Sequence, residues 1–221
     1  MTVDMQVSKF HIGIIIQSMK FAEKLIVGID EAGRGPLAGP ITLSAFLASQ
    51  NLKSKLIKIL GGKIKDSKQF LPKRRYEIYK EFKKLKSQEL INFSVSHVSN
   101  EIIDKKGISY ATNLAIKRVV KFFDKNCAVR LDGSLKAPTE FKNQKTIIGG
   151  DSKDIFIACA SIVAKVRRDR LMRRLGSKYP CYELQIHKGY GTKLHYKLLK
   201  KHGLSKIHRK SFCKNLTVFP K

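Results

Sequence analysis

From Lys24 to Leu47 the chain reads as two apolar runs, KLIVGID and ITLSAFL, joined by the turn EAGRGPLAGP with its three glycines and two prolines. Short β-like runs on either side of a Gly/Pro turn predict a hairpin, and the first run ends in the acids Asp30 and Glu31. From Leu71 to Leu85, Pro72 followed by Tyr76, Tyr79, Phe82 and Leu85 predicts an amphipathic helix with a basic outer face. Ile91 to Val98 alternates like a strand, and Ser99 or Asn100 caps a helical stretch running through Gly107 to about Phe123. Two further short strands follow, Cys127 to Leu131 leading into Asp132 and Thr146 to Gly150 leading into Asp151. The longest helix is expected from Ser152 to Leu175 with Gly176 as its stop, and a last helix from Lys193 to Lys201 lies beyond Pro180. Alternating strands and helices make this an α/β chain.

Charge narrows the partners. The 221 residues carry 45 Lys and Arg against 17 Asp and Glu, a net +28, and such a surface repels itself unless a polyanion is its neighbour. Nucleic acid is the first expectation and an anionic membrane surface the second. With 43% hydrophobic residues the chain can bury a core, which argues against disorder. No apolar run approaches the roughly 18 residues of a membrane span, and His11, Gln17, Ser18 and Lys20 interrupt any secretory pattern, so a cytoplasmic protein is expected. Cys127, Cys159, Cys181 and Cys213 form no C-x-x-C pair, which excludes a zinc knuckle or redox motif. Residues 1–20 read as an N-terminal appendage, open to disorder, and residues 21–221 as one domain with a basic helical segment from about residue 177.

In so basic a chain, acids at the ends of three apolar strands require a reason. Singly, Asp132-Gly133 is a turn, Asp151 an N-cap and Asp30-Glu31 a loop. If neighbouring strand ends bring them together, four carboxylates repel one another unless a cation lies among them, and oxygen ligands without His or Cys favour Mg²⁺ or Mn²⁺. The glycine-rich turn is neither a P-loop, which needs G-K-[S/T], nor a dinucleotide fingerprint, since Gly39 falls one residue late. What remains is Arg34 between Gly33 and Gly35, where backbone can approach a ligand closely.

The run Gly28-Ile29-Asp30-Glu31-Ala32-Gly33-Arg34-Gly35-Pro36-Leu37-Ala38-Gly39-Pro40 resembles the signature of ribonuclease HII. Further blocks look like that family's, in its order: Asp66-Ser67-Lys68, Asp132-Gly133, Gly150-Asp151, Ala160 to Lys165 with Arg168-Asp169-Arg170, Lys188 to Thr192, and His208 to Phe212. The resemblance implies an RNase H-like mixed sheet flanked by helices with a helical C-terminal segment. It implies cleavage of the RNA strand of RNA–DNA hybrids and of ribonucleotides embedded in duplex DNA, by two-metal hydrolysis with Mg²⁺ or Mn²⁺. The family's metal-binding carboxylates fall on Asp30, Glu31, Asp132 and Asp151, its 2′-hydroxyl-sensing loop on Gly33, Arg34 and Gly35, and its junction-sensing tyrosine on Tyr190. Lys68, Lys165, Arg168, His208 and Arg209 are expected to neutralise phosphates, and a monomer without membrane contact is expected. Two alternatives stay open: a ribonuclease HIII-like enzyme, disfavoured by Arg34 and by only 29 residues before Asp30, and a non-catalytic basic nucleic-acid-binding protein.

Overall fold

The computed structural model describes residues 24–214; the appendage expected at residues 1–20 lies outside them. The elements in chain order are β1 (Leu25–Ala32), β2 (Ile41–Ser49), α1 (Lys53–Ile59), α2 (Pro72–Ser87), β3 (Ile91–Val98), α3 (Asn100–Lys106), α4 (Ile108–Val120), β4 (Ala128–Asp132), β5 (Gln144–Ile147), α5 (Gly150–Lys153), α6 (Ile155–Lys178), α7 (Leu184–His187) and α8 (Lys193–His202). The strands form one mixed sheet in the order β3-β2-β1-β4-β5. The expected hairpin is present as antiparallel β1 and β2, with β3 antiparallel on its far side, while β1, β4 and β5 run parallel.

Each sheet face has its own core. One face buries Val27, Ile29, Leu43, Val129 and Leu131 against Ala111, Ala115 and Val119 of α4. The other buries Ile26, Phe46 and Ile91 against Phe156, Ala160 and Val163 of α6 and Ile78 and Phe82 of α2. A third cluster joins Leu37 and Ala38 of the glycine-rich turn to Met172, Tyr182, Leu184, Leu199 and Ile207, so the C-terminal segment docks on that turn. No helix among the described residues is long and apolar enough to cross a membrane.

Four boundaries differ from expectation, each for a local reason. Gly107, at φ 85°, divides the helix expected to run through it into α3 and α4, and Ser99 caps α3 by accepting from Ile102 N–H at 3.4 Å. The strand before Asp151 is Gln144–Ile147, because Gly149 turns left-handed at φ 64° and residues 150–153 form a separate turn. Asp154, whose Oδ1 accepts from Phe156 and Ile157 N–H at 2.9 and 3.2 Å, caps the long helix, which therefore starts at Ile155 and not at Ser152. Gly176 is not its stop. It lies buried inside α6, where a Cβ would stand 2.6 Å from Gln185 Oε1, and the helix ends at Lys178, just ahead of Pro180.

Candidate active site

Successive strand residues face opposite sides of a sheet. Asp30 therefore shares the α6 face with Ile26 and Gly28, and Glu31 shares the α4 face with Val27 and Ile29. The parallel pairing of Ile29 with Leu131 sets Asp132 beside Asp30 at the ends of neighbouring strands. Asp132 Oδ1 accepts from Gly150 N–H at 2.6 Å, which ties down the turn bearing Asp151. Gly28 lets α6 cross directly over β1: a Cβ there would lie 2.1 Å from the Phe156 carbonyl carbon. That close crossing brings the buried Ser161 hydroxyl to Asp30. Ser161 and Ser67 share a hydrogen bond of 2.9 Å, which joins the Asp66-Ser67-Lys68 turn to the site.

The carboxylates resist ionising together. Burial raises Asp30 well above the ordinary carboxylate range, against a hydrogen bond from Ser161, and the charge of Asp132 raises it further. Burial raises Glu31 as well, with Arg34 opposing and Asp132 adding. Asp151 is pushed up to about 6, by burial first and then by Asp66 and Asp132, while Lys68 opposes. Burial alone would lower the Lys68 ammonium, but Asp66, Asp151 and Asp30 raise it on balance. Among the described residues no three His, Cys, Asp or Glu side chains close into a cage able to hold a metal unaided. An all-oxygen set of mutually repelling carboxylates still fits a hard divalent ion, because Mg²⁺ keeps several waters and takes the rest of its ligands from substrate phosphate.

Beside the acids, the glycine-rich turn is held by two arginines with no exposed surface. Arg209 donates from Nη2 to Gly33 O at 2.7 Å, from Nη1 to Arg34 O at 2.7 Å and from Nε to Gly39 O at 2.9 Å. Arg168 donates to the carbonyls of Pro40, Ala38 and Lys188 at 3.2, 3.3 and 3.0 Å. Gly33, at φ 88°, leaves room for Arg168, whose Nε would lie 1.8 Å from a Cβ at that position. The exposed Arg34 reaches Glu31 Oε1 at 3.4 Å and Thr112 Oγ1 at 3.5 Å, and the space a Gly35 Cβ would enter is open. Among the described residues the Arg34 and Gly35 amides donate to no backbone carbonyl.

Tyr190 closes the other side. The residue is 37% exposed, with Lys165 Nζ 5.7 Å and the Arg168 guanidinium 5.5 Å from its ring centre. A chain of buried histidines fixes its backbone. Ser205 N–H donates to His208 Nδ1 at 3.0 Å, so His208 carries its proton on Nε2 and donates to His195 Nε2 at 3.1 Å. His195 then donates from Nδ1 to the Tyr190 carbonyl at 2.9 Å. His187 stacks on His195 with ring centres 4.1 Å apart and accepts from Gly189 N–H, whose carbonyl in turn accepts from Leu37 N–H at 2.8 Å.

The expected site residues thus divide. Asp30, Glu31, Asp132, Asp151, Arg34 and the exposed Lys68 surround one cleft, with Tyr190 and the Lys165 ammonium at the neighbouring loop. Arg168, Arg209 and His208 are corrected. They are at most 1% exposed and committed to carbonyls or to His195, so they hold the loops in place and do not meet phosphate directly. Thr112, Ser161, His187 and His195 were not among the expected residues. Asp66, quoted only within its block, proves to be the electrostatic partner of Asp151.

The profile of the family Ribonuclease HII matches residues 27–215. The chain belongs to the ribonuclease HII family. A ribonuclease HII of Caldicellulosiruptor bescii is 42% identical over 193 residues, covering 87% of this chain and 88% of that protein. The ribonuclease HII in complex with PCNA from Archaeoglobus fulgidus superposes at a TM-score of 0.71 with 23% identity, over 89% of this chain and 97% of that one. Bst-RNase HIII in complex with Mn²⁺ superposes at 0.62 with 17% identity, over 92% and 68%. The mixed sheet flanked by helices is therefore the RNase H-like fold expected from the resemblance. The enzyme is a type HII ribonuclease H, a hydrolase that cuts the RNA strand of RNA–DNA hybrids, and the non-catalytic and type HIII alternatives fall away.

Proposed function

We propose that Asp30, Glu31, Asp132 and Asp151 hold divalent cations, Mg²⁺ or Mn²⁺, and that the enzyme hydrolyses a phosphodiester at a ribonucleotide, including one embedded in duplex DNA. The observation that carries this is the convergence, in a chain of net charge +28, of carboxylates of which Asp30, Glu31 and Asp151 are raised by burial first and then by the neighbouring Asp132. The Mn²⁺ of the HIII neighbour is in keeping with it. Bound there, two such ions supply an activated water and neutralise charge on the leaving 3′-oxygen.

The protein's own groups do the rest. The Arg34 and Gly35 amides, which among the described residues donate to no backbone carbonyl, lie in the turn that follows Asp30 and Glu31 and suit a ribose 2′-hydroxyl, the group that separates RNA from DNA at one nucleotide. Arg209 and Arg168 hold those amides still, so little ordering remains when substrate arrives. Tyr190 offers an exposed ring for the neighbouring deoxyribose, Lys68 an exposed ammonium beside the acids, and Lys165 a second cation at the ring edge. The decisive experiment incubates the enzyme with a duplex containing one ribonucleotide and with a continuous hybrid, in Mg²⁺, Mn²⁺ or EDTA. Cleavage of both in either metal, abolished by EDTA without loss of duplex binding, is expected. Cleavage persisting in EDTA overturns the metal assignment.

A further inference from the structure

Helix α6 extends beyond the site, and its far half lines a groove that the cleavage chemistry does not use. Ser161 lies at Asp30, and Lys165, one turn on, lies at Tyr190. Over the next turns α6 forms, with the start of α2, a groove of about 810 Å³ that Lys188 borders two residues before Tyr190. Seven cations line it: Lys73, Arg75, Arg167, Arg170, Arg173, Arg174 and Lys188. Its one carboxylate, Asp169, is already engaged by Lys165 at 2.9 Å and Arg75 at 3.7 Å. Tyr76, 41% exposed, lies between the Arg170 guanidinium at 5.8 Å and the Lys80 ammonium at 5.7 Å.

Neither ordinary explanation of such a cluster suffices. Favourable interaction with the helix dipole is confined to the last turn, and Arg167, Arg170 and Arg173 lie before it in a helix ending at Lys178. A purely solvated face has no need to bring cations together, yet Lys188 is crowded enough that burial, and then Arg173, Lys165 and Arg168, lower its ammonium against Asp169.

We infer that the groove between α2 and α6 binds the sugar–phosphate backbone of the substrate duplex several base pairs from the cleaved bond, without regard to sequence. The inference rests on the function proposed above and adds where the rest of the duplex lies. From Ser161 to Arg174 the helix rises about 20 Å, the length of about six base pairs of duplex axis. The path is continuous, since the Lys165–Tyr190 contact joins the cleft to the groove. A nucleic-acid backbone suits the spaced cations better than a small anion, which would occupy only one or two of them.

The test replaces Arg170 and Arg174 by Gln together, two exposed positions outside the cleft. Substrates carry four ribonucleotides paired with DNA, with about 12 base pairs on each flank or with one flank cut to about two. On the long duplex the double variant should raise KM about tenfold at 0.15 M salt with kcat unchanged, and lower the slope of log affinity against log salt by about 1.8. Shortening one of the two flanks should weaken the parent and erase its advantage over the variant. Equal KM values and equal salt slopes on the long duplex would overturn the inference, as would a KM defect that persists whichever flank is shortened. Thermal unfolding checks that the variant is folded. A parent that binds the duplex with the steeper slope but cleaves nothing would leave the groove standing and remove the proposed function.

Discussion

Arg209 Nη2 lies 2.7 Å from the carbonyl oxygen of Gly33, a residue 176 positions earlier in the chain. Its other nitrogens take the carbonyls of Arg34 and Gly39, so one buried guanidinium sets the curvature of the whole glycine-rich turn. Lysine keeps the charge but cannot fork to three acceptors. Arg209→Lys should lower unfolding free energy by about 2–4 kcal/mol in urea and reduce kcat/KM, because the turn loses its form. An unchanged urea midpoint would show that the turn does not depend on this fork.

The histidine chain gives stability a pH dependence of known sign. Burial lowers His195 and His208 to about 4, helped for both by the nearby His187, and their carbonyl and Ser205 partners only partly oppose it. In the unfolded chain they titrate near 6.5, so between about pH 6.5 and 4 the unfolded state holds the extra protons. Their contribution is complete above about 6.5 and is lost as pH falls to about 4. The raised carboxylates of the cleft work the other way, so the comparison of parent with His208→Gln isolates the effect. The variant's stability should decline less steeply by about 1.4 kcal/mol per pH unit in that window. Identical slopes from urea unfolding at pH 7, 6 and 5 would contradict this.

What could be read from the sequence was local. Apolar runs around a Gly/Pro turn, the acids that end them and the three-residue spacing of Tyr76, Tyr79, Phe82 and Leu85 carry their meaning within a few positions, and β1, β2 and α2 appear where expected. Arg168 and Arg209 looked like phosphate binders because a guanidinium in a basic segment shows no local sign of burial. Their partners lie 128 to 176 residues away, in a turn folded back by the sheet. Gly176 likewise resembles a helix stop until Gln185 is seen packed against it. Thr112 left no trace, since one threonine in a helix becomes a partner of Arg34 only once α4 lies against the sheet.

At the helix–strand crossing the tolerance for added atoms is nil. A Cβ on Gly28 would fall 2.1 Å from both the carbon and the oxygen of the Phe156 carbonyl. Gly28→Ala must push α6 off β1 and displace Ser161 from Asp30, at a cost of about 3 kcal/mol or more. Reduced thermal stability together with lost cleavage is expected. A variant with parental melting behaviour would mean that α6 does not press on β1 so closely.

The ring of Tyr190 and its hydroxyl are separable. Tyr190→Ala should slow cutting at a lone embedded ribonucleotide about tenfold to a hundredfold, more than in a continuous hybrid, whereas Tyr190→Phe keeps the stacking face and most of the rate. Parallel rate measurements on both duplexes, with melting curves for each variant, check this. Equal losses on both substrates with a lowered melting point would make Tyr190 a packing residue of the C-terminal segment.

The central claim is that the cleft acids are arranged for cations, and Asp132→Asn tests it most directly. Asparagine keeps an oxygen for the Gly150 N–H and removes the charge that raises Asp30, Glu31 and Asp151. Melting of parent and variant should be followed in EDTA and in Mn²⁺, beside cleavage of an RNA–DNA hybrid. The variant should melt at or above the parent in EDTA, gain less from Mn²⁺ and lose most turnover while binding the duplex normally. Near-parental cleavage, or an undiminished Mn²⁺ stabilisation, would contradict the account.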